Sequence, residues 1–341
     1  MGVGILGTGS YLPVEVVTND DLVRLVPDAD PAWVSRKTMI DARRFAAADE
    51  AASDLAAKAA RHALEASGLE AVDIDYLIVS TSTGDSPQPP TSTLVQEKIG
   101  ADRAACFDIN VVCAGFVFGV ALANSLIATR PGAKVLVIAT DIYSRILDFG
   151  DRRTAVLFGD GAGAAVMGEV PDGYGLLDLE LVSRGEAHEL IHVPAGGSRL
   201  PASAETVANG DHYFKMNGRG VREFVNSGVP PAFETLLKRS GVAVDEVDHF
   251  VPHQANGVML AELVEATGLT AATTHLTLDR YGNVGSASVP VTLDDAARKG
   301  ALKDGDVILM AGFGGGMSVG ACLLRWKAPA TSAVSATPTP A

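Results

Sequence analysis

Four short segments of this chain carry residue types that together can move an acyl group. Cys113 closes the run Asp108-Ile-Asn-Val-Val-Cys113 and opens a stretch of small residues, Ala114, Gly115, Gly119, Ala121 and Ala123. A β-type run that ends at Cys113 and a helix that begins there would put the thiol at a helix N-terminus. The dipole and unpaired N–H groups there favour thiolate, so the spacing predicts a lowered pKa. His253, in Val251-Pro-His253-Gln-Ala-Asn256, follows an apolar run and precedes a helical one. That is the C-terminal end of a strand, where sites of α/β proteins gather. Asn283 stands between Gly282 and Gly285 on a tight turn, where its amide can donate to a reacting carbonyl. Gly312-Phe-Gly-Gly-Gly316 supplies backbone that approaches closely and can aim N–H groups at an oxyanion. Each segment also has a plain reading: an inert buried cysteine, a core histidine, a turn asparagine, a tight bend. Taken together they supply a nucleophile, two neutral donors and an oxyanion cradle, the parts of covalent acyl transfer.

Positioning such groups needs a framework of strands and helices. Apolar runs at 3–8, 76–82, 134–141, 156–167, 249–252 and 307–313 read as strands. Segments 50–67, 114–129, 221–240, 258–267 and 289–299 repeat apolar residues at three and four positions and read as helices. Gly68 and Gly241 sit where helix C-caps belong. The alternation predicts an α/β fold with sheets sandwiched by helices. The connection 185–217, rich in Gly, Pro and Ala, is long enough to line a substrate channel.

Composition narrows the function classes. The chain has 341 residues, of which 47% are hydrophobic and 20% charged, enough apolar material for a large core. A net charge of −14 argues against a nucleic-acid surface. No window holds the ~20 uninterrupted apolar residues of a membrane span, and the start lacks a basic leader, so the expectation is a cytoplasmic protein. Three cysteines, Cys106, Cys113 and Cys322, are too few for a disulfide framework or a zinc site. The glycines of Gly7-Thr-Gly9-Ser-Tyr-Leu12 and Gly159-Asp-Gly-Ala-Gly163 fit neither a dinucleotide fingerprint nor a phosphate loop, which lack here a third glycine and a lysine. The segment 327–341, made largely of Ala, Ser, Thr and Pro, reads as a disordered tail.

At these motifs the sequence resembles β-ketoacyl-acyl carrier protein synthase III of the thiolase superfamily. The likeness runs from Gly7-Thr-Gly-Ser-Tyr-Leu-Pro13 through Thr154-Ala-Val-Leu-Phe-Gly-Asp-Gly-Ala-Gly163 to the last glycine loop. It implies a thiolase fold, a duplicated five-layer αβαβα sandwich with halves 1–170 and 171–326, and a homodimer. It implies that Cys113 is acylated and that His253 and Asn283 support decarboxylation of a malonyl thioester. It also implies an oxyanion hole made of the amides of Cys113 and Gly315. Trp33, Arg36 and Arg152 match residues that hold the adenine and phosphates of a coenzyme A thioester. Asp30 with Pro31 can start the helix that carries Trp33 and Arg36, and Lys37, Arg43 and Arg44 complete a basic island. The resemblance requires no metal and no redox cofactor, only the thioester as substrate.

Three departures suggest a specialised, natural-product-type relative. The family's Arg-Thr-Gly-Ile reads Lys37-Thr-Met39-Ile40. The loop 84–90 offers Gln88 or Pro89 where relatives place an aromatic residue in the partner subunit's acyl pocket. The helix after Asn256 has Glu262 and Glu265 but no Lys or Arg, which disfavours docking of an acidic carrier protein. Glu223 stands for a base nearby, although Arg219 and Arg222 could form a displaced patch. The expected reaction is condensation of acyl-Cys113 with a malonyl-derived enolate. The alternative is acyl transfer to a hydroxyl or amine, with His253 as base.

Overall fold

The computed structural model describes residues 1–328. Ten strands form two five-stranded sheets of one design. In the first half these are β1 (Gly2–Tyr11), β2 (Tyr76–Ser80), β3 (Ala105–Ile109), β4 (Val135–Ile142) and β5 (Asp160–Val170). In the second they are β6 (Gly175–Ser183), β7 (His249–Pro252), β8 (Thr273–Thr274), β9 (Val307–Gly314) and β10 (Ser318–Arg325). The first sheet runs in the order β3-β2-β4-β5-β1 and the second in the order β8-β7-β9-β10-β6. The match extends to direction. In each sheet the first three strands are parallel and the other two pair antiparallel.

Helices fall at matching places. Pro31–Thr38 (α1) is an insertion of the first half. Ala52–Ser67 (α2), Thr91–Ile99 (α3) and Gly115–Thr129 (α4) link its strands. Gly218–Ser240 (α5), Gly257–Thr267 (α6) and Ser288–Arg298 (α7) do the same in the second. The chain is thus a duplicated αβαβα sandwich. One core packs α2 on the first sheet, one packs α5 and α6 on the second, and the largest lies between the sheets around α4 and α7. Phe116, Val117, Val120 and Ala123 of α4 are fully buried there. Each large apolar side chain so enclosed contributes about 1.5–3 kcal/mol. Residues 112–129 are long and apolar enough to cross a membrane, but in this fold they form the central helix between two sheets.

Gly68 and Gly241 are left-handed C-caps (φ 69° and 72°), as their positions predict. Other expectations shift. The strand read at 156–167 begins only at Asp160, because Phe158 turns out to bridge Asn283. The β run before Cys113 stops at Ile109, and a 3-10 turn over Val112–Ala114 follows. Strands β6, β8 and β10 and helix α3 were not foreseen. The tail expected over 327–341 starts with Lys327 and Ala328 bonded to Asp304 (2.8 and 3.0 Å), and its remainder lies outside the described residues.

Candidate active site

The turn that carries Cys113 is built by close backbone approach. A Cβ on Gly115 would stand 1.8 Å from Ser80 Oγ, so only glycine lets α4 start beside β2. A Cβ on Gly312 would meet Ala114 Cα and the Cys113 carbonyl at 2.8 Å, and one on Gly314 would meet Cys113 Sγ at 2.9 Å. The glycine-rich end of β9 is therefore pressed against the turn that holds the sulfur. Val112, just before the cysteine, has φ 46°, a left-handed conformation that strains a β-branched residue.

Cys113 does not have the lowered pKa its place before α4 suggests. Burial pushes the thiol up to about 12, and the nearby charge of Asp141 adds to this. The N–H groups of Gly315 and of Cys113 itself pull the other way without prevailing. Depth outweighs the helix terminus here, because the sulfur lies in a nearly closed site with the residue only 5% exposed. The resting group is a thiol. The same two N–H groups are the ones expected to form an oxyanion hole, and both act to lower the pKa of the sulfur.

His253 follows β7, and its amide donates to Ala311 on β9 at 2.7 Å. Gln254 locks the turn: its Oε1 accepts from Thr277 and Leu278 amides (2.9 and 3.2 Å), and its Nε2 donates to Pro252 and His275 carbonyls. Asn256 caps α6 by accepting from Val258 and Met259, and donates to the Lys37 carbonyl at 3.0 Å. The imidazole stands edge-on to Phe313 at 5.7 Å. Burial pushes its pKa down to about 3, so it is neutral. Nδ1 is sealed without a partner among the described residues. With Nδ1 sealed, Nε2 is the ring nitrogen open to the cavity.

Asn283 is gripped on both sides by the segment misread as strand. Its amide donates to Leu157, and its carbonyl accepts from Gly159, at 2.9 and 3.0 Å. The side-chain Oδ1 accepts the Gly285 N–H at 2.9 Å, which turns Nδ2 toward open space. That space is a cavity of about 600 Å³ lined by Cys113, His253, Asn283, Phe313 and Gly314. A stacked pair, Tyr143 and Phe158 (4.5 Å), and Phe214 form its aromatic wall. Ile191, Phe214 and Met216 come from the connection read as a channel segment.

Trp33, Arg36 and Lys37 of α1 also line this cavity. Asp30 caps the helix by accepting from the Trp33 amide at 2.7 Å, with Pro31 first in the helix. Arg152 stands with its guanidinium 5.3 Å over the Trp33 ring and donates to the Asp28 carbonyl; Arg153, not singled out in the sequence, lines the cavity. Two members of the basic island are corrected. Arg43 is fully buried and donates to Asn19 and to the Val156 carbonyl, while Arg44 donates to the Pro13 and Val14 carbonyls. Neither faces a ligand. Gln88 and Pro89 are exposed and do not line the cavity that holds Cys113. Arg222, at the cavity rim, is paired with Glu262 of α6, so the displaced basic patch is reduced to Arg219.

Met39, the residue in place of glycine, is the left-handed C-cap of α1 (φ 60°, ψ 24°). Its side chain fills the space a Cβ on Gly257 would need, with Sδ at 2.7 Å. Methionine at 39 and glycine at 257 thus fit each other across the rim.

Models of two parts of one family match this chain: 3-oxoacyl-[acyl-carrier-protein] synthase III over residues 107–185 and its C-terminal part over 237–326. Acetoacetyl CoA synthase NphT7 of Streptomyces sp. (strain CL190) is 46% identical over 324 residues, covering 94% of this chain and 98% of that protein. The crystal structure of 3-oxoacyl-(acyl carrier protein) synthase III from Pseudomonas aeruginosa PAO1 superposes with a TM-score of 0.88 at 33% identity, covering 97% of this chain and all of that one. The priming β-ketosynthase of the R1128 polyketide pathway gives 0.88 at 32%, covering 96% and 97%. With its duplicated sheets and one cavity joining Cys113, His253 and Asn283, this chain belongs to the 3-oxoacyl-[acyl-carrier-protein] synthase III family.

Proposed function

We propose that the protein condenses an acyl group carried on Cys113 with a malonyl thioester, releasing carbon dioxide. The observation that carries this reading is the convergence of a thiol, a neutral imidazole and an oriented carboxamide on one cavity. Cys113 attacks the thioester carbonyl, and its proton passes to the departing thiolate of coenzyme A. The tetrahedral oxyanion takes the N–H groups of Cys113 and Gly315. Coenzyme A leaves, and a malonyl thioester enters the same cavity, which gives ping-pong kinetics. Loss of carbon dioxide leaves its electron pair in an enolate, whose oxygen accepts from His253 Nε2–H and Asn283 Nδ2–H. The enolate carbon attacks the acyl carbonyl, and collapse expels the Cys113 thiolate, which takes a proton from solvent. No metal or redox group enters this balance.

Transfer to a hydroxyl or amine asks more of His253, which would have to accept a proton. Burial leaves it a poor base, so condensation fits the site better. Free coenzyme A thioesters suit both steps. Trp33 can stack on a purine once the Arg152 guanidinium swings off its ring, and Arg36, Lys37 and Arg153 can meet its phosphates. The pairing of Arg222 by Glu262 weakens any attraction for an acidic carrier, and the acetoacetyl-CoA product in the Streptomyces relative's name points the same way. The protein acts as a homodimer in which Gln88 and Pro89 reach the partner's acyl pocket. Mixing the enzyme with acyl-CoA and carboxyl-labelled malonyl-CoA tests the reading. Labelled carbon dioxide and a β-ketoacyl-CoA are expected; acylated Cys113 without carbon dioxide from any malonyl donor would contradict it.

A further inference from the structure

Beneath the site lies a carboxylate that the scheme above does not use. Asp141, near the end of β4, is fully buried. One oxygen accepts from the Ser82 amide, Ser82 Oγ and Thr83 Oγ1 at 2.9, 2.9 and 3.0 Å. The other accepts from the Ser286 amide and Oγ at 2.8 and 2.7 Å. All of these donors are neutral, so the carboxylate is satisfied without a cation. Ser286 follows Gly285, whose N–H holds the Asn283 side chain. Gly285 is left-handed (φ 58°), and a Cβ there would lie 2.4 Å from Asp141 Oδ2 and from the Tyr143 ring. The turn is therefore seated directly on the acid. Ser82 and Thr83 begin the loop that ends with Gln88 and Pro89.

We propose that Asp141 is a positioning residue for condensation: its carboxylate fixes the Ser286–Gly285 backbone, and through it the aim of the Asn283 amide, while tying the same point to the root of the loop at 82–90. The inference rests on the condensation reading. It has a separate electrostatic signature, because the charge also opposes ionisation of Cys113. The other titratable groups facing the sulfur are Tyr143, raised well above its ordinary range, and His253, held at about 3. Neither titrates between pH 5 and 10, where Cys113 is still mostly thiol. Burial pushes the Asp141 carboxyl up while the Ser82 and Ser286 donors pull it down, so faster Cys113 alkylation at a fixed pH in that window reports the loss of the Asp141 charge.

The test compares wild type with Asp141→Asn and Ser286→Ala in three assays. These are Cys113 acylation by intact mass, carbon dioxide release from malonyl-CoA, and the pH profile of Cys113 alkylation by iodoacetamide, followed on its peptide. Asp141→Asn should acylate within a few-fold of wild type, condense about 100-fold more slowly, and alkylate with a profile moved to lower pH. Ser286→Ala, which keeps the charge, should slow condensation less and leave the alkylation profile in place. Condensation unchanged in both variants overturns the proposal. So does a parallel loss of acylation and condensation with an unmoved profile, which is the mark of mere unfolding. A wild type that never acylates, with the alkylation shift still present in Asp141→Asn, overturns the condensation reading but supports the link between Asp141 and the sulfur.

Discussion

The two halves share one topology yet deliver opposite chemistry from the same place. In each, the helix that enters the middle layer is preceded by a short 3-10 turn: Val112–Ala114 before α4, Gly285–Ala287 before α7. In each, a left-handed residue opens that turn, Val112 (φ 46°) in one and Gly285 (φ 58°) in the other. The first half places a sulfur there. The second places Asn283 just ahead of its turn and adds His253 from the end of β7. In the proposed reaction the first half supplies the covalent bond, and the second supplies neutral donors. The difference teaches where strain is tolerated. Val112 keeps a side chain in a costly conformation and packs its methyls about 3.0 Å from where a Gly315 Cβ would stand. At the equivalent turn, Asp141 and the Tyr143 ring leave no room for a Cβ, so glycine is the residue that fits.

Removing the first half's contribution has the largest expected effect. Cys113→Ala should abolish acyl-enzyme formation, seen as loss of the mass increment with acyl-CoA. A retained increment would place the covalent bond elsewhere and break the division of labour. Next comes Asn283→Ala, which should leave Cys113 acylation intact while slowing carbon dioxide release about 100- to 1000-fold. Equal losses in both assays would show that the halves do not act separately. Acid should barely touch the second half's donors: with His253 held at about 3, its protonation adds no falling limb to kcat/KM between pH 8 and 5. The sign follows from the depressed pKa, since the neutral form persists as pH falls until near that value. A limb centred near 6.5 that vanishes in His253→Asn would contradict this.

The smallest effect concerns the rim, where the halves touch through Met39 and Gly257. Gly257→Ala should cost about 1–3 kcal/mol, measured by denaturant unfolding, because Met39 already fills the space. In a Met39→Gly background the same change should cost clearly less. Additive effects would mean that the two side chains do not compete for that volume.

Much of this site was legible because its residues sit at element boundaries that apolar periodicity marks. His253 follows a strand that reads as four apolar-flanked residues, and the helix after Asn256 is marked by its cap. The glycines of β9 announced close approach, although not to what. What stayed hidden was set by burial and by distant contacts. The thiol's raised pKa follows from depth and from Asp141, 28 positions away in sequence, which no local pattern links to Cys113. Arg43 looked like part of a basic island but is a core residue whose guanidinium donates to Asn19 and to the Val156 carbonyl, a pairing only the tertiary fold creates. Residues 156–159 carry a strand's composition, yet the grip on Asn283 bends them away from the sheet. Strand β6 went unforeseen although its signal is present: Leu179 and Leu181 alternate with Asp178 and Glu180. The duplication itself left no sequence repeat, because strand order is kept by topology while side chains diverge.

The most direct measurement is single-turnover kinetics on pre-formed acyl-enzyme mixed with carboxyl-labelled malonyl-CoA, following label release and the mass of Cys113 together. The expected result is carbon dioxide and loss of the acyl mass at matching rates, both slowed by Asn283→Ala. Deacylation that proceeds without carbon dioxide, or at a rate indifferent to Asn283, would contradict a condensing enzyme whose second half stabilises the enolate.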